Sequence, residues 1–71
     1  MNNFNISRIN TLEGTFKIKG HWQRHPQKIV FIQLEIMSTD GWQVLDLKHQ
    51  SIIKLIPKID GFVLQHLMFN N

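Results

Sequence analysis

Residues 17–28, Lys-Ile-Lys-Gly-His-Trp-Gln-Arg-His-Pro-Gln-Lys, have the strongest chemical character in this sequence. They hold Lys17, Lys19, Arg24 and Lys28, add His21 and His25, and contain no acid, while the rest of the chain sets four bases against five acids. The formal net charge of +3 is therefore a property of this one segment. Cations grouped in this way attract phosphates without reading base sequence. An aromatic side chain among them can stack on a base. Lys17, Lys19, His21, Trp22, Arg24 and Lys28 are accordingly the candidate nucleic-acid-binding residues, with single-stranded DNA or RNA as the partner. The competing reading is a solvated hairpin whose lysines discourage stray strand pairing. Trp22 also shares its parity with Phe16 and Ile18, which directs it toward a core rather than toward a base.

Other chemistry finds little to work with. His21 and His25 have a metal-ligand spacing for a helix, but Pro26 opposes a helix there, and no cysteine can complete a site. No metal and no cofactor is expected. The acids Glu13, Glu35, Asp40, Asp46 and Asp60 are scattered, so no pair suited to general acid–base work is visible. The glycines Gly14, Gly20, Gly41 and Gly61 cannot build a phosphate loop. A chain of 71 residues also leaves little room for a small-molecule pocket beside its own core. The expectation is a binding protein and not an enzyme.

The elements that must position the basic segment read as strands. Alanine is absent, and isoleucine, valine, phenylalanine and tryptophan supply much of the apolar mass, which suits a pleated surface. From Thr15 to Trp22 the residues alternate, with Phe16, Ile18 and Trp22 on one face and Lys17, Lys19 and His21 on the other. Gly20 interrupts the apolar face, as glycine does at a bulge or a close backbone approach. Gln23–Gln27 is a turn around Pro26, and Lys28–Met37 is an apolar run. Strict alternation there groups Val30 and Ile32 with Leu34 and Ile36. Asp40-Gly41 is the clearest turn, and Trp42–Leu47 the next strand.

The C-terminal third is harder to assign. Ile52, Leu55, Ile56 and Ile59 have helical spacing, yet Pro57 lies inside the pattern and residues 52–56 would also make a strand. A helical turn near Leu47–Ser51 leading into a strand satisfies both. Phe62–Phe69 then reads as a final strand, apolar on both faces. Such a strand closes a barrel or pairs with another chain, which makes Val63, Leu67 and Phe69 candidate protein-interface residues.

Five short strands predict a small antiparallel barrel of SH3-, Sm- or OB-like geometry with one short helical turn. The rival is an α+β arrangement, an antiparallel sheet with one helix at about 42–56. Residues 1–10 form an N-terminal tail or edge strand, and 11–71 a single small β-rich domain. A compact chain of this mass exposes about 4,600 Å². No apolar run is long enough to span a membrane, and the N-terminus lacks a secretory signal, so a cytoplasmic protein is expected. Three functions follow: an accessory nucleic-acid-binding module, a protein-binding adaptor or inhibitor using the apolar C-terminal strand, and a homo-oligomer subunit. A core this small gives self-association some weight.

Overall fold

Alternation does produce strands along most of the chain, and a computed structural model describes residues 2–69. Its elements are β1 (Asn2–Thr11), β2 (Gly14–Gln23), β3 (Lys28–Ser38), β4 (Gly41–Leu45) and α1 (Gln50–Phe69). The strands form one antiparallel meander in the order β1-β2-β3-β4. The architecture is thus α+β, an open four-stranded sheet with a C-terminal helix. It is not the closed five-stranded barrel expected, because the described residues hold no fifth strand.

The segment expected to supply that strand is helical for a reason visible in its spacing. Ile52, Leu55, Ile56 and Ile59 continue through Phe62, Val63 and Leu67, one stripe at period 3.6 along the whole of α1. Under a period of two, the same stripe looks like a strand apolar on both faces. Pro57 is accommodated because it lies on the outer side of α1, where the carbonyl it leaves unpaired, that of exposed Ile53, can meet water. The helix therefore runs from residue 50 to 69 and not over 42–56, and Gly41–Leu45 remains a strand. His49 caps it. The His49 carbonyl accepts from Ile53 N at 2.9 Å, and its ring Nδ1 accepts from Ser51 N at 3.1 Å.

The core lies between α1 and one face of the sheet. Ile6, Ile9, Phe16, Ile18, Leu34, Ile59 and Val63 are its buried members. Two register shifts bring the right residues to that face. Between Ile6 and Ile9, β1 spends three residues where β2 spends two, so Ile9 joins Phe4 and Ile6 on the core side. Between Phe31 and Gln33, β3 carries Ile32 as an extra residue opposite the Lys19–Gly20 step. Phe31 and Ile29 consequently share a face with Leu34 and Ile36, while Val30 turns outward and Ile32 is left exposed. Gly20 sits at this irregularity. A Cβ there would collide with the Val30 carbonyl and would approach the Phe4 ring to 3.0 Å.

Tight turns join the strands. Thr11 Oγ1 donates to Gly14 O at 2.9 Å across the β1–β2 turn, and Ser38 Oγ donates to Gly41 O at 2.8 Å across the β3–β4 turn. Gly41 closes the latter at φ +110°, a conformation that side chains with a Cβ rarely adopt. The accessible surface is 5056 Å², above the compact expectation, because the second face of the sheet carries no layer of its own. Among the described residues, no helix is long and apolar enough to cross a membrane.

Candidate nucleic-acid interface

The sheet face opposite α1 is assembled from every second residue of four strands. From β2 it takes Lys17, Lys19 and His21, whose neighbours Phe16, Ile18 and Gly20 are buried on the other side. Successive members stand about 6.8 Å apart along the strand. From β3 it takes Lys28, Val30, Gln33, Glu35 and Met37, paired respectively with Gln23, His21, Lys19 and Lys17 of β2 and, for Met37, with Trp42 of β4. β1 contributes Asn3 opposite His21, Asn5 opposite Lys19 and Asn10 opposite Thr15. β4 adds Trp42 and Val44.

The result is an open surface with a lysine column through its middle. Glu35, the cross-strand neighbour of Lys17, is the one acid that the described strands place on it. Lys17 Nζ lies 4.7 Å from the centroid of the Trp42 ring, spanning β3 diagonally. Val30, Ile32, Met37 and Val44 are exposed around the lysines, with Val44 retaining 65% of its surface. An open face of this kind can hold a polyanion by charge and a planar ring by stacking.

The six candidate residues do not all meet here. Lys17, Lys19, His21 and Lys28 lie on the open face, by register and alternation. Arg24 is exposed in the β2–β3 turn, near the end of that face. Trp22 is on the opposite side: it pairs with Ile29 on the helix-facing surface, and Arg24 lies 5.7 Å from its ring centroid. Trp22 is therefore withdrawn from the lysine column by the same alternation that builds it.

No family model, no curated protein and no solved structure matches the chain. The face must be interpreted from its own residues.

Trp42, which sequence reasoning placed only at the start of a strand, is the aromatic that shares the open face with Lys17. The usable signal was its position immediately after the Asp40-Gly41 turn. That turn fixes Trp42 opposite Met37, hence on the side of Glu35 and Lys17. The three residues offered as a C-terminal protein interface lie on α1 and not on a strand. Val63 is fully buried in the core, Leu67 packs against that core half-buried, and both belong to a helix with no strand edge to offer. Phe69 alone of the three is exposed, at 76%. Among the described residues, no group of three or more His, Asp or Glu side chains converges on a metal position.

Proposed function

We propose that the protein is a small non-enzymatic module that binds single-stranded nucleic acid on the open face of its sheet. Lys17, Lys19 and Lys28 contact phosphates, with His21 and Arg24 at the margin, and Trp42 provides the stacking platform. The observation that carries this reading is the Lys17–Trp42 contact at 4.7 Å on an uncovered, cation-rich face. An incoming base can take the place of the ammonium on the ring while Lys17 moves to the adjoining phosphate. A single strand suits an open face because its bases can splay and stack, which duplex grooves do not allow.

The test is the anisotropy of a labelled oligothymidine, repeated with oligouridine, over a range of salt. Three phosphate contacts on a single strand give a slope of log affinity against log salt of about −2. Lys17→Glu combined with Lys19→Glu should abolish binding, and Trp42→Ala should weaken it roughly tenfold. Salt-independent binding, or an unaffected double variant, rejects the proposal.

The exposure of Val30, Ile32, Met37 and Val44 favours a second reading, in which a protein partner covers this face. That complex would survive high salt and would be lost with Val44→Lys.

A further inference from the structure

The two outer strands of an open sheet leave one side of their backbone without a strand partner, and β1 is the longer of them. Beside its second half, α1 and the sheet diverge to leave a groove of about 370 Å³. Arg8, Ile9 and Asn10 form one wall of it, and Phe62, Gln65, His66 and Phe69 the other. Phe69 projects 76% exposed at this place, and Phe62 packs from the same groove onto the core. The register shift between Ile6 and Ile9 places Arg8 at the groove. An unpaired strand edge, the apolar side chains of Ile9, Phe62 and Phe69 and a guanidinium thus meet in one place, with no acidic side chain among the described lining residues.

We propose that this edge and groove accept an extended peptide segment of another protein as a fifth strand beside β1. Its inward-facing side chains are apolar, except for one carboxylate that meets Arg8, with His66 on the facing wall. Backbone pairing with β1 supplies affinity that is indifferent to sequence, and alternate side chains entering the groove supply the choice of partner. Charge selects a foreign segment over a second copy of β1. β1 contains no acid, so a two-fold pairing of β1 with another β1 would bring a second Arg8 where a carboxylate is needed. This site is separate from the lysine column on the open face.

The probe is an N-acetylated peptide that alternates valine and threonine, with glutamate replacing one central valine. Titrated into the isotopically labelled full chain, it should shift the amide resonances of residues 5–11 and 62–69 and slow hydrogen exchange along β1. Replacing its glutamate with glutamine, or making Arg8→Glu in the protein, should weaken binding roughly tenfold. N-methylating its backbone should abolish binding, and Phe69→Asp should weaken it, while Lys17→Glu with Lys19→Glu leaves it unchanged. Equal binding of the N-methylated peptide would overturn the proposal. So would shifts centred on Lys17, Lys19 and Trp42, which would mean that the open face captures acidic chains in general. A dimer whose β1 amides are already protected without peptide would also overturn it, since a second copy would then occupy the edge.

Discussion

Gly20 shows how much one missing side chain can decide. It is buried on the core side of β2, beneath the Phe4 ring and against the Val30 carbonyl, where the β3 irregularity begins. The obstructing atom on one side is backbone, so it cannot move aside as a flexible side chain could. Gly20→Ala should therefore destabilise the fold by about 3 kcal/mol through overpacking, read as a lower midpoint in urea denaturation with an unchanged slope. An unchanged midpoint would mean that the ladder shifts at no cost. The same reasoning separates the two tryptophans. Trp22 and Trp42 occupy opposite faces because one stands an even number of residues from Phe16 along β2 and the other is registered by a turn onto Met37.

At the scale of elements, α1 is built from a good stripe and two poor helix formers. Gly61 is exposed, and a Cβ added there would meet nothing within 4 Å. Gly61→Ala should stabilise the protein by roughly 0.5–1 kcal/mol, since alanine loses less backbone entropy on entering a helix. Thermal melting checks this, and a lower melting temperature would show that the glycine serves a packing need. Pro57 and Gly61 are also why the helix was only half legible. The Ile52–Ile59 spacing was plain, but two breakers within five residues invited a reading in which the helix ends and a strand begins. The three hairpin strands from Gly14 to Leu45 were legible because their turns carry Pro26 and Asp40-Gly41. The faces of β3 were not. Ile32 breaks the period without any residue type that announces a bulge, so strict parity grouped Val30 with Leu34 and Ile36 and put Phe31 on the other face. The lysine column was readable because β2 itself keeps strict alternation from Phe16 to Trp22.

Considered as a whole, the molecule divides its labour across the thickness of one sheet. Core and cations occupy alternate residues of β2, yet they face different environments, α1 on one side and solvent on the other. Stability and binding should therefore be separable by mutation. Lys17→Glu with Lys19→Glu should cost no more than about 1–2 kcal/mol, from the lost Trp42 contact and a carboxylate set opposite Glu35, and should leave cooperative folding intact. Val63→Asp should abolish cooperative unfolding, because it places a carboxylate among Ile6, Ile18 and Ile59 with no partner to compensate. Circular dichroism melts of both variants decide the matter. A double variant that unfolds, or a Val63→Asp protein that melts like the parent, would show that the two faces are not independent.

The extra residue in β3 bears on how such a gene can change. Losing the codon for Ile32 would leave Phe31 and Gln33 as direct neighbours opposite Gly20 and Lys19, so the strand would become regular with Phe31 still inward and Val30 still outward. A deletion in the neighbouring Arg24–Gln27 loop would be absorbed without inverting either half. Lineages of this chain should accordingly vary in length at the loop and at position 32, and hold their count through the rest of the strand.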